Sequence, residues 1–143
     1  MLSMEGALIA AVVLAAATVF GLVRRRRDGV LRARRGDGAV AEVLGADELG
    51  AALGEKATLV QFSSAFCAPC RATRRTLGEV AGMVEGVAHV EIDAEARLEL
   101  VRRLNVIRTP TVLVLDAAGR VVRRASGAPR KADVIAALGQ AIP

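Results

Sequence analysis

The feature that most constrains this chain is its pair of cysteines. Cys67 and Cys70 are the only 2 cysteines among 143 residues, and they lie between an apolar, β-prone run and a stretch with helical periodicity. Their spacing is about one helical turn, so the two sulfurs can meet with little backbone movement. A helix N-terminus favours negative charge and therefore stabilises a thiolate on the first cysteine. The pair predicts dithiol–disulfide chemistry at a helix start, where Pro69 is well tolerated.

A zinc site is the main alternative for two cysteines at this spacing. A structural zinc ion takes four protein ligands, so two further histidines or cysteines are needed. The chain has one histidine, His89, and no other cysteine. The sequence therefore predicts no metal site.

A second constraint is the apolar segment near the N-terminus. Residues 6–23 contain no charged side chain and only Thr18 as a polar one. A helix of this length just crosses the hydrocarbon layer of a bilayer. A signal peptide carries positive charge before such a run and a cleavage site after it, whereas here Glu5 precedes the run and Arg24–Arg27 follow it. We therefore predict a retained, single-pass membrane anchor.

The arginines after this anchor predict its orientation. The positive-inside rule places them, and everything that follows, in the cytoplasm; an envelope-facing orientation stays open as the alternative. Residues 24–38 contain seven arginines against two aspartates and hold most of the formal net charge of +5. Because the positive charge is confined to this stretch and lacks interleaved aromatic residues, we predict no nucleic-acid binding.

The rest of the chain predicts one α/β domain. We divide the sequence into an N-terminal tail (1–5), a transmembrane anchor (6–23), a basic linker (24–38), in which residues 28–38 are expected to be solvated, and a folded domain (39–143). Apolar runs and helical periodicity alternate along the domain and predict a mixed sheet flanked by helices. The predicted strands are 39–44, 57–63, 87–92, 111–115 and 120–126, and the predicted helices are 47–53, 67–84, 95–104 and 131–138.

Four features follow one another along residues 39–141: the strand LVQF, the sequence FCAPC at a helix start, VEID at the end of the next strand, and Arg108-Thr109-Pro110-Thr111 before the strand TVLVL. In these features and their order the region resembles the thioredoxin family. The resemblance implies a thioredoxin-like fold, preceded here by one transmembrane helix. It implies a membrane-tethered thiol–disulfide oxidoreductase of the protein-disulfide reductase type, active in electron transport and cell redox homeostasis. No cofactor is expected beyond the redox-active disulfide.

The resemblance also implies roles for the cysteines and for the loop before the fourth strand. Cys67 is expected to be the attacking nucleophile and Cys70 the resolving thiol. Thr109–Pro110 matches the family's cis-proline, which packs opposite the cysteines so that an extended substrate can pair beside the sulfurs; from the residues alone, a trans proline opening an edge strand is the alternative.

The remaining expectations concern the substrate side. Phe66 and Pro69 are expected to complete the substrate-binding face, and Arg108 is expected to touch a substrate. The implied partners are disulfide-containing proteins and an electron donor of the thioredoxin-reductase type.

Two positions depart from the family pattern. Gln61 stands where the family keeps a buried aspartate, and an amide cannot take the proton of the resolving thiol. His89 stands where the family often has a lysine, and a neutral imidazole there is a candidate proton acceptor for Cys70; a strand histidine without a role is the alternative. Gln61 keeps a second function open, a redox-gated protein-binding module with little turnover.

Overall fold

The computed structural model describes residues 3–33 and 42–143. Its elements, in chain order, are α1 (Met4–Arg27), β1 (Arg32–Ala33), α2 (Ala46–Leu49), β2 (Ala57–Ser63), α3 (Ala68–Met83), β3 (Val87–Asp93), α4 (Leu98–Arg103), β4 (Thr111–Asp116), β5 (Val121–Ser126) and α5 (Lys131–Ala141). Within these ranges, five strands form one sheet in the order β1-β5-β4-β2-β3. The mixed sheet flanked by helices, predicted from the sequence, is confirmed.

The central strand β2 holds the sheet together. It runs parallel to β3 and antiparallel to β4, so that Gln61 lies opposite Glu91 on one side and Val112 on the other. All seven of its residues are buried, which explains why it reads as a continuous apolar run and not as an alternating one. Its carboxyl end leads directly into the cysteine-containing loop.

Two apolar layers cover the two faces of the sheet. Because successive side chains of a strand point to opposite faces, Leu59 belongs to one layer and Val60 and Phe62 belong to the other. The first layer contains residues of α3 and α5, including Leu77, Val80, Val134 and Leu138. The second contains Leu49 of α2, Leu100 of α4, and Leu104 and Val106 just after α4. By this alternation Gln61 faces the α3 side of the sheet.

Two predicted helices are shorter than expected. Helix α2 ends at Leu49 because Gly50 adopts a left-handed conformation, with φ of 69°, which terminates a helix. Helix α4 begins only at Leu98, because the preceding residues form a turn in which the Asp93 carboxylate accepts the Glu95 amide at 2.9 Å. Leu98 was expected on the apolar side, but in this first turn it is exposed.

Part of the predicted basic linker, residues 24–38, has regular secondary structure. Arg24–Arg27 are the last turn of α1, and β1 pairs with β5 through Arg32 opposite Arg124. The pairing is available because β5 has an open edge that another strand can cover. Residues 34–41 lie outside the described residues, and with them the end of the linker and the start of the predicted strand 39–44. The end of that strand makes one bridge, Val43 with Arg120.

Helix α1 stands apart from the apolar layers. None of its residues is buried. Among the described residues it is the one helix that is long and apolar enough to cross a membrane. A signal sequence near the N-terminus has the same length and composition. The Ser3 side chain caps the start of α1 by accepting a hydrogen bond from the Gly6 amide. The last turn of α1 is basic.

Candidate active site

The two cysteines lie at the N-terminus of α3. Their sulfurs are joined as a disulfide, with the two Cα atoms 5.2 Å apart. Cys67 is the residue that caps the helix, and its sulfur accepts the amide of Cys70 at 3.2 Å. Pro69 occupies the first turn, where it sacrifices no intrahelical hydrogen bond. The helix N-terminus therefore points an amide donor at the Cys67 sulfur, an arrangement that stabilises a thiolate there.

The two sulfurs differ in their access to solvent. Cys70 is buried, with 1% of its surface exposed, whereas Cys67 is half-buried. Phe66, just before the pair, is fully exposed. A partner in solution therefore meets Cys67 first.

The loop before β4 joins the cysteine loop through one contact. The hydroxyl oxygens of Thr109 and Ser64 are 2.8 Å apart. The Thr109–Pro110 bond is cis, as the resemblance implied, and the Pro110 carbonyl accepts the Gly127 amide at 2.7 Å. The structure thus brings the Thr109–Pro110 segment to the cysteine loop, and Ser64 is a site residue that the sequence did not single out.

Gln61 is the buried polar group behind Cys70. Its Nε2 donates to the Cys70 carbonyl at 2.8 Å and to the Ser63 hydroxyl at 2.9 Å. A carbonyl oxygen only accepts hydrogen bonds, so the amide must turn its nitrogen towards Cys70. Its oxygen, Oε1, then faces His89 Nε2 at 3.1 Å.

This orientation fixes the hydrogen on His89. Because Oε1 of Gln61 only accepts, His89 Nε2 must donate to it. A nitrogen that already carries its proton cannot take up another, so the ring atom that faces this cluster is not a base. The expected role of His89 as proton acceptor for Cys70 stays a prediction; the contact in the structure is with Gln61.

Two charged side chains, Glu91 and Arg74, act on His89. Burial lowers the pKa of His89, the neighbouring Glu91 carboxylate acts to raise it and Arg74 acts to lower it. Arg74 forms two hydrogen bonds with Glu91, and this bonding lowers the pKa of Glu91. Arg74 therefore holds Glu91 as a carboxylate beside the histidine.

The lowered pKa of His89 predicts a pH dependence of stability. The unfolded chain binds a proton on this imidazole at higher pH than the folded chain does, so acidification through the ordinary histidine range favours unfolding. We expect the free energy of unfolding of the wild-type protein to fall, relative to His89→Gln, between pH 7 and pH 5. Glutamine keeps an N–H donor for Gln61 but does not titrate. Urea unfolding of both proteins across this range measures the difference; parallel curves would contradict the prediction.

Arg108 has different partners from those expected. Its guanidinium donates to the Asp28 carboxylate at 2.9 Å and to the Ser126 carbonyl at 2.7 Å. In the structure this side chain ties the loop before β4 to the end of α1, and the expected contact of Arg108 with a substrate stays a prediction. Asp28 carried no signal in the sequence, since it read as part of a charged linker.

Within residues 3–33 and 42–143, no group of three or more histidine, cysteine, aspartate or glutamate side chains comes together to hold a metal ion.

The chain is similar to known proteins over this whole domain. The Thioredoxin family model matches residues 42–140. The thioredoxin of Mycolicibacterium smegmatis is 32% identical over 90 residues, covering 61% of this chain and 80% of that protein. The bifunctional thioredoxin reductase/thioredoxin of Mycobacterium leprae is 30% identical over 89 residues, covering 62% of this chain but 19% of that longer protein.

A solved structure gives the same likeness of fold. The reduced Schistosoma mansoni thioredoxin pre-protein superposes with a TM-score of 0.53 at 21% identity, covering 62% of this chain and 82% of that one.

Proposed function

Since this chain belongs to the thioredoxin family and is a thioredoxin-like thiol–disulfide oxidoreductase with a Cys67–Cys70 pair, we propose that it works as a membrane-tethered reductase of protein disulfides. The observation that carries the proposal is the Cys67 sulfur at the start of α3, where it accepts the Cys70 amide at 3.2 Å. Cys67 is partly exposed, whereas Cys70 is buried. Such an asymmetric pair is suited to attack from one sulfur and release by the other.

The proposed reaction has two exchange steps. The Cys67 thiolate attacks one sulfur of a substrate disulfide, which forms a mixed disulfide and releases the first substrate thiolate. Cys70 loses its proton to solvent and its thiolate attacks the Cys67 sulfur, which closes the Cys67–Cys70 disulfide and releases the second substrate thiolate. Two electrons pass from the dithiol to the substrate. The steps need no cofactor beyond the two cysteines.

The substrate is proposed to bind across the joined loops. Phe66 and Pro69 are exposed beside Cys67, and Thr109–Pro110 is held to the cysteine loop through the Ser64 contact. An extended segment with a disulfide can lie between these loops and pair with free backbone groups.

Regeneration requires an electron donor. The Mycobacterium leprae relative is described as a thioredoxin reductase and a thioredoxin in one protein. By this likeness we propose that a reductase of the same type returns the Cys67–Cys70 pair to the dithiol.

The membrane tether is proposed from α1. Its fully exposed apolar surface is unfavourable in water and favourable in hydrocarbon. We propose residues 6–23 as the spanning part, the tail 1–5 before it, and the folded domain from residue 39 on the cytoplasmic side. Each arginine at the centre of a bilayer costs about 2.5–3.5 kcal/mol, so moving Arg24–Arg27 across is far less favourable than moving the N-terminal amine with Glu5.

We predict that a C-terminal alkaline phosphatase fusion is inactive and a C-terminal green fluorescent protein fusion is bright. The reason is that the four arginines keep the domain in the cytoplasm. The matched control replaces Arg24–Arg27 with glutamine, which reduces the charge bias and is expected to raise phosphatase activity. An active phosphatase fusion of the unaltered chain, with a dark fluorescent one, would favour the envelope-facing alternative.

A second candidate function is supported by Gln61. A buried amide behind Cys70 cannot accept its proton, so a slow second step would leave the partner covalently held, as in a redox-gated binding module. Insulin reduction in the presence of dithiothreitol separates the two candidates, because only the oxidoreductase turns over many insulin molecules per protein.

A further inference from the structure

We propose that a rigid joint between α1 and the loop before β4 holds the redox site at the membrane surface, so that its substrates are disulfides in juxtamembrane segments of membrane proteins. This inference rests on the proposed membrane tether. The joint consists of Asp28 and Gly29, at the end of α1, and the residues they contact.

Gly29 forms the buried part of the joint. Its amide donates to the Ser126 carbonyl at 2.9 Å, and its φ of 72° lies in the left-handed region, which favours glycine. A Cβ at this position would overlap the carbonyl oxygen of Ala128. The chain therefore turns off α1 by packing its backbone directly against the folded domain.

Asp28 and β1 hold the joint from either side of Gly29. The Asp28 carboxylate accepts a hydrogen bond from the Arg108 guanidinium at 2.9 Å, and Arg108 also donates one to the Ser126 carbonyl. Beyond Gly29, Arg32 in β1 pairs with Arg124 in β5. Three separate contacts thus fix the chain within a few residues of the helix end, where a linker of glycines and charges was expected.

The joint is continuous with the active site. Arg108 is followed directly by Thr109, whose hydroxyl contacts Ser64 at 2.8 Å, and Ser64 lies two residues before Phe66. The Gly127 amide also bonds the Pro110 carbonyl. One contact to Asp28 and one to Ser64 therefore connect the end of α1 to the cysteine loop.

This geometry limits which disulfides the site reaches. With α1 in a bilayer, Arg24–Arg27 lie among the headgroups, and the joint begins at the next residue. A free linker over residues 28–38 would extend by about 3.3 Å per residue and let the domain reach targets well away from the surface; the joint removes the first part of that reach. Phe66 and Ile107, both exposed apolar side chains, lie in the two connected loops and suit the apolar flank of a membrane protein.

The test uses the full-length protein in phosphatidylcholine vesicles with 20–30% anionic lipid. The probe is one disulfide-containing peptide in three forms: free, attached to lipid by a short tether, and attached by a long, flexible tether. We expect the wild-type protein to reduce the short-tethered peptide about tenfold faster than the long-tethered one, because the joint raises the effective concentration of the site near the surface.

Three variants assign this preference to the joint. Gly29→Ala introduces a Cβ that cannot be accommodated, and Asp28→Lys repels Arg108. Both are expected to bring the rate ratio of short to long tether close to 1, with each rate divided by the free-peptide rate of the same variant. Gly21→Ala is the matched control, since nothing lies within 4 Å of the added Cβ, and it should keep the wild-type ratio. Should Gly29→Ala fail to fold, Asp28→Lys carries the test.

Each outcome has one meaning. A wild-type ratio near 1, or an unchanged ratio in both joint variants, overturns the joint proposal alone. A wild-type protein that reduces the free peptide but does not float with vesicles overturns the membrane tether, and the joint proposal with it. A vesicle-bound protein that fails to reduce the free peptide overturns the proposed chemistry.

Discussion

Replacing Cys67 with serine is expected to bring disulfide exchange down to the uncatalysed rate, whereas replacing Cys70 with serine is expected to trap substrates as mixed disulfides. Cys67 is the half-exposed sulfur that accepts an amide at the start of α3, and the thiolate is the attacking species in exchange. Cys70 is 1% exposed, so a substrate cannot reach it before Cys67 has reacted. Without Cys70 nothing displaces the substrate from Cys67.

The measurement combines turnover with the covalent state of the protein. Insulin reduction with dithiothreitol gives turnover, and non-reducing gels with intact-protein mass spectrometry detect adducts. The double variant Cys67→Ser with Cys70→Ser is the control and should form none. Adducts formed by Cys67→Ser through Cys70 would reverse the assigned roles, and a Cys70→Ser protein that loses turnover without forming adducts would contradict them.

The parts of the fold set by local pattern could be predicted from the sequence. Strand β2 has the predicted bounds, Ala57–Ser63, because a buried strand between glycine and loop residues carries an unbroken apolar run. The start of α3 was predicted because a proline beside the capping Cys67 suits a first turn. The family motif added the pairing of the cysteine loop with Thr109–Pro110, two segments that local propensity cannot bring together.

The joint and the Gln61 cluster could not be predicted, because both depend on contacts distant in the chain. Asp28 and Arg108 are 80 residues apart, and a stretch of glycines and charges reads as solvated until the open edge of β5 is known to lie beside it. For Gln61 the sequence indicated the missing acid but not the hydrogen bonds that replace it. The donor role of His89 follows only once the Cys70 carbonyl has fixed the orientation of the amide.

The second large effect is expected from Gln61→Asp, which should accelerate release of the mixed disulfide by about a hundredfold above about pH 7, the lower end of what a positioned general base contributes. The Gln61 side chain contacts the backbone carbonyl oxygen of Cys70 at 2.8 Å, so we expect a carboxylate at this position to face Cys70 and to take the proton of the resolving thiol. Stopped-flow exchange with a fluorescent disulfide peptide measures the step. Gln61→Asn is the matched control, because asparagine has the same length and shape as aspartate but no carboxylate that could take a proton.

The same substitution is expected to lower stability, and in a pH-dependent way. It removes the donor to the Cys70 carbonyl and buries a carboxyl group, at a cost of about 1–3 kcal/mol in the free energy of unfolding. Burial raises the pKa of the new carboxyl above its unfolded value, so the loss is smallest at low pH and grows as pH rises through the folded pKa. Urea unfolding of both variants at pH 5 and pH 8 should show this divergence.

If both variants resolve the mixed disulfide at the wild-type rate, removal of the Cys70 proton does not limit the reaction, and the buried amide is no obstacle to turnover.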